Sequence, residues 1–111
     1  MNITAEEAKQ IMDTESDYVI LDVRTQEEFD EAHIPGAILI PNTEIEIRAE
    51  SELSDKNQLI LVYCRSGRRS KLAAEILVEL GYTNIYEFGG IIDWPYRMSF
   101  FCRGFARCRE S

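Results

Sequence analysis

Short apolar runs along the chain alternate with segments whose apolar residues recur at helical spacing. Residues 18–21 and 59–63 are continuous apolar runs with the length of a buried strand. Residues 37–40 form another short run before Pro41, and residues 84–88 are predicted as the last strand before a glycine pair. The pattern therefore predicts strands separated by helical segments.

Four segments are predicted as helices. Residues 5–13 and 25–32 each follow the capping-box pattern, in which a threonine is followed three residues later by a glutamate. Residues 43–53 are ambiguous, and helix is the favoured interpretation. The fourth helix is amphipathic and is marked by apolar residues at helical spacing, namely Ala73, Ala74, Ile76, Leu77 and Leu80. Gly81 follows it in the position of a C-terminal cap.

This order of elements predicts an α/β fold: a mostly parallel central sheet of about five strands with helices on both faces. The 111 residues are the usual size of one domain, and such a domain buries enough surface to fold without a disulfide or a metal. Ligands of open parallel sheets bind beyond the carboxyl ends of the strands. Residue 64 begins the loop at that end of the most apolar strand, so this loop is the candidate site.

Charge is distributed unevenly along the chain, whose net charge is −8. Residues 1–63 carry fifteen acidic and four basic residues, which argues against general nucleic-acid binding. Residues 64–71 contain no acid and four cations, namely Arg65, Arg68, Arg69 and Lys71. This cluster predicts either a small site that attracts anions or simply a solvent-exposed start of a helix.

The cysteines do not indicate a structural role. Three cysteines, an odd number without a C-x-x-C spacing, make no disulfide framework, and with a single histidine they argue against a zinc site. No metal or other cofactor is predicted. Residues 1–10 contain no apolar signal core, and no apolar run is long enough to span a membrane. A cytoplasmic protein without membrane contact is expected, although an exported protein after signal removal has the same pattern.

The loop after the strongest strand combines three features that suit an anionic sulfur nucleophile. It reads Cys64-Arg65-Ser66-Gly67-Arg68-Arg69-Ser70 and leads into a helix, whose first N–H groups are free to surround an anion. The arginines and the helix dipole favour a thiolate over a thiol. Gly67 permits backbone conformations that point several N–H groups at one centre. A lone cysteine at a strand end is more often a core residue, but the arginines and the glycine favour function here.

These residues resemble the active-site loop of the rhodanese family, which commonly reads C-R-x-G-x-R-S. The matching residues are Cys64, Arg65, Gly67, Arg69 and Ser70. Two further segments are similar to the signatures of the family, namely Leu21-Asp22-Val23-Arg24 with Glu28, Phe29 and His33-Ile34-Pro35-Gly36-Ala37, and Gly89-Gly90-Ile91-Ile92-Asp93-Trp94. The resemblance covers residues 1–96 as one rhodanese-like domain and leaves residues 97–111 as a divergent tail.

The resemblance implies a sulfurtransferase. Cys64 would attack the outer sulfur of thiosulfate or a related small anionic donor, release sulfite and hold a persulfide. Cyanide, a thiol or a protein acceptor would then remove the sulfur. Loop N–H groups of residues 64–70, including Ser66, Gly67 and Ser70, would stabilise the anionic sulfur. Arg65 and Arg69 are the candidates for the sulfonate of the donor, with Arg68 as the alternative.

Other singled-out residues are assigned supporting or packing roles. Asp22 and Arg24 follow a buried strand at the ligand-binding end, and we favour a role in supporting the loop over direct chemistry. His33 is interpreted as a structural residue that is hydrogen-bonded at the turn before Pro35. Trp94 and the Gly89-Gly90 pair are expected to pack the closing turn.

Two alternative functions remain open at this point. A cysteine phosphatase or arsenate reductase uses a similar loop, but its C-x5-R spacing puts arginine where this chain has Ser70, and Arg69 comes one residue too early. A non-catalytic persulfide carrier or sensor would share every feature of the loop.

The tail, residues 97–111, holds Cys102, Cys108 and four arginines. We favour the interpretation of the tail as a divergent extension over a resolving thiol, a partner-binding segment or a membrane-surface patch. The oligomeric state is not predicted.

Overall fold

The computed structural model describes residues 2–100 of the chain, and it describes side chains as far as residue 98. Its elements, in chain order, are α1 (Ala5–Thr14), β1 (Tyr18–Asp22), α2 (Gln26–Glu31), β2 (Ala32–His33), β3 (Ile38–Leu39), a 3-10 turn (Asn42–Glu44), α3 (Ile45–Glu52), β4 (Leu59–Cys64), α4 (Arg68–Glu79), β5 (Ile85–Gly90), a second 3-10 turn (Ile91–Asp93) and β6 (Ser99–Phe100). None of the helices within these residues is long and apolar enough to cross a membrane.

The predicted fold class is confirmed. The central sheet has the strand order β3-β1-β4-β5, and every neighbouring pair in it is parallel. It contains four strands rather than about five, because β2 and β6 pair with each other in a separate antiparallel ribbon. β1 and β4 occupy the centre, as their continuously apolar sequences require.

Helices cover both faces of the sheet, and side chains of β4 alternate between the two. Ile60, Val62 and Cys64 belong to the core beneath α3 and α4, where Ala49 and Leu77 are fully buried. Leu61 and Tyr63 belong to the opposite core, which is closed by α1 and by Trp94. This alternation places the Cys64 side chain on the same face as α4, the helix that follows it in the chain.

Local signals in the sequence place the helix ends. Thr4 and Thr25 both accept the N–H three residues on, and Glu7 and Glu28 complete the capping boxes. The ambiguous segment 43–53 is helical, split between the first 3-10 turn and α3. Gly81 follows the end of α4 with φ +102°, in the left-handed region that glycine favours.

The segment predicted as a tail contributes to the fold at its start. Backbone pairing joins Ala32 to Phe100 and His33 to Ser99, so β6 forms beyond the predicted domain boundary at residue 96. Cys102 and Cys108 lie outside the described residues, as does the rest of the segment 101–111. The boundary and the role of the tail stay predictions.

Candidate active site

Cys64 is the last residue of β4 and is fully buried at the carboxyl end of the sheet. The Gly67 N–H donates a hydrogen bond to Cys64 Sγ over 2.9 Å. Gly67 has φ +104°, a conformation that an L side chain resists, and this turn directs the N–H back at the sulfur before α4 begins at Arg68. One loop N–H, that of Gly67, is therefore directed at the Cys64 sulfur just before α4 begins.

The end of β5 holds the loop from the other side. Gly90 of β5 lies opposite Cys64 of β4 in the sheet. A Cβ added at Gly90 would lie 2.2 Å from the Arg65 carbonyl oxygen and 2.6 Å from Ser66 Cα. The Arg65 carbonyl also accepts a hydrogen bond from Ile92 N–H over 3.2 Å. The glycine pair thus packs the closing turn, as predicted, and Gly90 does so directly against the candidate active-site loop.

Ser70, in the first turn of α4, lies between Cys64 and a buried carboxylate. Its Oγ is 3.5 Å from Cys64 Sγ, 3.0 Å from the Gly67 carbonyl oxygen and 2.7 Å from Glu87 Oε1. Glu87 is only 3% exposed, and its Oε1 also accepts the Gly89 N–H over 3.0 Å. A continuous set of polar contacts therefore runs from the sulfur to an acidic residue of β5.

Arg69 is paired with Glu28 of α2. Its two terminal nitrogens donate to the two carboxylate oxygens of Glu28 over 2.7 and 3.0 Å. The hydrogen bonds from Arg69 are the main reason that the pKa of Glu28 is lowered to about 2. The pKa of Arg69 is raised, chiefly by Glu28 and to a smaller extent by the charge of Cys64. The guanidinium fork is thus occupied by Glu28, although its charge still acts on the sulfur.

The other cations of the loop face solvent. Arg65, Arg68 and Lys71 are exposed, and none of their side chains forms an ion pair or a hydrogen bond within residues 2–100. Beside them lies an open cavity of about 660 Å³. Its lining includes Ser66, Gly67, Arg68, Lys71, Glu75 and Glu87. Cys64 does not line this cavity, so the cavity adjoins the candidate nucleophile without exposing it.

Comparison with known proteins identifies the family of this chain. The Rhodanese-like domain family matches residues 4–95. The chain belongs to the rhodanese-like family. Thiosulfate sulfurtransferase PspE of Escherichia coli (strain K12) is 44% identical over 73 residues, which are 66% of this chain and 70% of that protein.

Two further comparisons add detail. The putative sulfur carrier protein YrkF of Bacillus subtilis (strain 168) is 40% identical over 93 residues, which are 83% of this chain but only 49% of that protein. A solved structure described as a rhodanese with anions from E. coli has a TM-score of 0.68 and 40% sequence identity. That match covers 73% of this chain and 95% of the other.

The supporting pair of this rhodanese-like domain, Asp22 and Arg24, is buried and internally bonded. Arg24 Nε lies 3.0 Å from both carboxylate oxygens of Asp22, and Arg24 Nη2 lies 2.7 Å from Oδ2. The outward bond of Arg24 goes to the Ala32 carbonyl over 2.6 Å, not to the loop. Asp22 also raises the pKa of Tyr63, although burial is the larger cause. The pair therefore fixes the backbone at Ala32, directly after α2. α2 is the helix that carries Glu28.

His33 and Trp94 take the packing roles expected of them. His33 Nδ1 lies 2.8 Å from the Phe29 carbonyl oxygen, and its ring stacks on that of Phe29 at 3.8 Å between centroids. Trp94 is buried and packs against Phe88 and Tyr96. Neither residue is among the contacts of the Cys64 sulfur.

The sequence analysis did not single out Glu87, and it did not predict that Glu28 binds Arg69. Glu87 interrupts an otherwise apolar strand two residues before Gly89, and an acid at a buried strand position is a signal that it has a specific partner. Glu28 was interpreted as a capping residue and a family match. That it also binds Arg69 depends on how α2 packs beside α4, which no local pattern reports.

Proposed function

We propose that this protein transfers a sulfane sulfur from thiosulfate, or a related anionic donor, to a thiophilic acceptor through a persulfide on Cys64. The observation that carries the proposal is the Gly67 N–H directed at Cys64 Sγ over 2.9 Å. The family membership of the chain and the name of its E. coli relative support sulfur transfer as the reaction.

The reaction has two displacement steps at sulfur. The Cys64 thiolate attacks the outer sulfur of thiosulfate, a new S–S bond forms, and sulfite leaves with the electron pair of the broken bond. An acceptor nucleophile, such as cyanide or a thiolate, then attacks the terminal sulfur and releases the Cys64 thiolate. Both steps leave negative charge on sulfur, and the Gly67 N–H and the start of α4 are suited to stabilise it.

The unpaired cations support an anionic donor. The loop and the start of α4 carry Arg65, Arg68 and Lys71, which have no acidic partner in the described part of the chain, whereas the guanidinium of Arg69 is paired with Glu28. Arg65 and Arg68 are therefore better placed than Arg69 to hold the sulfonate of the donor. The anions named for the related E. coli structure agree with such a role. Because Cys64 is fully buried, a donor reaches Sγ only when the loop residues above it shift.

Intact-mass analysis tests the proposal directly. After brief exposure to thiosulfate, we expect the mass of one sulfur atom to be added at Cys64 and then to be removed by cyanide. Cys64→Ser should abolish both steps, and a Cys102→Ser, Cys108→Ser double variant should retain them as the matched control. Sulfur that still binds to the Cys64→Ser variant would refute the assignment of the nucleophile.

A sulfur carrier is the second candidate, since the B. subtilis relative is named as a putative sulfur carrier. A carrier would accept one sulfur at Cys64 but would not turn over repeatedly with small acceptors. Measuring thiocyanate formed per protein molecule from thiosulfate and cyanide separates the two functions. Many turnovers support the transferase, whereas a single stoichiometric burst supports the carrier. No observation favours a phosphatase, because the loop is one residue shorter than that reaction requires.

A further inference from the structure

The buried thiol of Cys64 has one neighbouring atom that can accept its proton. Cys64 is fully buried, and in the described part of the chain the polar hydrogen-bond partners of its sulfur are Gly67 N and Ser70 Oγ. The Gly67 N–H can only donate a hydrogen bond to the sulfur. Ser70 Oγ, at 3.5 Å, is thus the atom that can accept the proton when the thiol ionises.

The Ser70 hydroxyl has a stronger acceptor on its far side. Its single proton can point to the Gly67 carbonyl at 3.0 Å or to Glu87 Oε1 at 2.7 Å. A carboxylate is the stronger acceptor and lies closer, so the proton belongs on the Glu87 side and a lone pair of Oγ faces the sulfur. The contacts are therefore ordered in one direction, from Sγ through Oγ to Oε1.

Glu87 connects this chain of contacts to solvent. It is 3% exposed, but it lines the cavity of about 660 Å³ beside the loop. Within residues 2–100 its Oε1 binds Ser70 and Gly89 N–H, while Oε2 forms no hydrogen bond to protein. A proton received by the carboxylate can consequently leave to water in the cavity.

We propose that Ser70 and Glu87 form a proton relay that ionises Cys64. The S–H bond of Cys64 breaks as its proton moves to Ser70 Oγ, and the Ser70 O–H bond breaks as its own proton moves to Glu87 Oε1. The products are a thiolate, an unchanged hydroxyl and a carboxylic acid. The negative charge passes from Glu87 to Cys64, so ionisation creates no second anion in the buried site, where two neighbouring anions repel strongly. The carboxylic acid releases its proton to the cavity only in a separate second step, at higher pH.

Charged groups lie near both members of the pair, Cys64 and Glu87. Arg65, Arg68, Arg69 and Lys71 come from the loop and from α4, and Arg69 interacts electrostatically with Cys64. The acidic groups nearby are Glu28, which is paired with Arg69, Asp22, which is paired with Arg24, and Glu75, which lines the cavity. Arg68 and Lys71, which have no acidic partner within residues 2–100, line the same cavity as Glu87, and Arg69 is the cation whose charge acts on the sulfur.

The relay can be distinguished from a carboxylate that is merely a neighbour. Two ionisable groups that share a proton titrate as a pair with two macroscopic steps. If the relay operates, thiolate forms partly in the first step, while Glu87 holds a proton, and completely in the second. If Glu87 is only a neighbour, it loses its proton first, and thiolate forms in one later step. Removing its charge would then only shift that single step to lower pH.

The inference rests on Cys64 as the proposed nucleophile, but its test needs no sulfur donor. The ultraviolet absorbance of the thiolate is titrated in the Cys102→Ser, Cys108→Ser background, and the same titration with Cys64→Ser added is subtracted. We expect two steps with Glu87 in place. Glu87→Gln, which keeps the volume and an acceptor for Ser70, should give one step. Ser70→Ala should also give one step, displaced to higher pH. Glu75→Gln, on the wall of the same cavity, should retain both steps.

Carbon-13 NMR of the glutamate carboxyl groups gives a second measurement that needs no change at position 87. In the protein with Cys64 one carboxyl resonance should titrate in the same two steps as the thiolate, and in the Cys64→Ser variant it should titrate in one. A single thiolate step in the unsubstituted background, with every carboxyl already ionised before it, would overturn the relay. Sulfur loading that persists alongside this outcome would leave the proposed function intact, whereas two steps without sulfur loading would refute the function alone.

Discussion

The Glu28–Arg69 ion pair ties α2 to the first turn of α4, one residue before Ser70. Both side chains are about a quarter to a third exposed, and the pairing is bidentate. Glu28 also closes the capping box of α2, so one carboxylate orders the start of one helix and the arginine near the proposed nucleophile. At the residue scale, Arg69 therefore positions the site as well as contributing charge to it.

We expect the contribution of this pair to stability to depend on pH in a defined direction. The pKa of Glu28 is about 2 in the folded protein, below its ordinary value of 4.5, because Arg69 stabilises the charged form. The stabilisation is thus fully present above about pH 4.5 and is lost as the pH falls through about 2. Arg69→Met should lower the free energy of unfolding by about 1 kcal/mol at pH 7, and this difference should narrow below pH 4.5. Urea unfolding at several pH values measures it.

Lys71→Met provides the control for that series, because Lys71 is exposed and has no ion pair within residues 2–100. Its effect on stability should be small at every pH. A difference for Arg69→Met that stays constant between pH 7 and pH 3 would show that the ion pair is not its cause.

The carboxyl ends of β4 and β5 form the elements on which the loop rests. The pairing register shifts between Val62 and Cys64, and Gly90 comes to lie opposite Cys64. At this point the backbone of β5 contacts the backbone of residues 65 and 66 with no room for a side chain. The geometry of the cradle thus depends on contact between two backbones, for which only glycine is small enough.

Gly90→Ala should disturb the site far more than a glycine substitution elsewhere. Gly90 has φ −114°, so alanine adds no backbone strain there, but its Cβ would meet the Arg65 carbonyl oxygen at 2.2 Å. Gly36→Ala is the matched control, since Gly36 has φ +85° and open space around it. We expect Gly36→Ala to cost about 1 kcal/mol through strain and to leave sulfur loading unchanged. Gly90→Ala should cost at least twice as much and suppress loading, as urea unfolding and intact mass would show. Equal losses would argue against the contact.

At the scale of the whole molecule, net positive charge within residues 1–96 is concentrated at the loop, which suits the anionic donor proposed above. Fifteen acidic residues precede Cys64 against four basic ones, whereas the residues from 64 to 71 carry only positive charge. Most of the surface therefore repels a small anion, and the exposed Arg65, Arg68 and Lys71 attract it to the loop.

Removing one of these cations should weaken the use of thiosulfate selectively. Arg68→Ala is expected to raise KM for thiosulfate roughly tenfold, the ratio that corresponds to about 1.4 kcal/mol of lost binding, with a much smaller change for an uncharged sulfur donor. Lys9→Ala, in α1 and paired with Asp13, is the control and should change neither value. Steady-state kinetics at low and moderate salt measure both, and added salt should reduce the effect of Arg68→Ala. Similar changes for both donors would exclude anion binding as the role of Arg68.

The order of the four helices and of the four strands of the central sheet, the fold class and the nucleophile candidate were determined by the sequence alone. Capping boxes at Thr4 and Thr25, apolar runs of strand length and the glycine at residue 81 are local signals, because they depend on hydrogen bonds and burial over a few residues. The loop from Cys64 to Ser70 was recognisable for the same reason, since it is one continuous segment between a strand and a helix. These signals also identified the family that the comparison then matched.

Only the tertiary structure decided which distant residues complete the site. Arg69 meets Glu28 across 41 positions and Ser70 meets Glu87 across 17, so neither contact follows from periodicity. The strand order, the count of four strands in the central sheet and the contact of Gly90 with the loop likewise depend on how elements pack together. A hydrophobic pattern states which side of an element is buried, but not which element covers it. For that reason the sequence predicted an anion-binding role for Arg69, whereas in the folded protein the guanidinium of Arg69 forms an ion pair with Glu28.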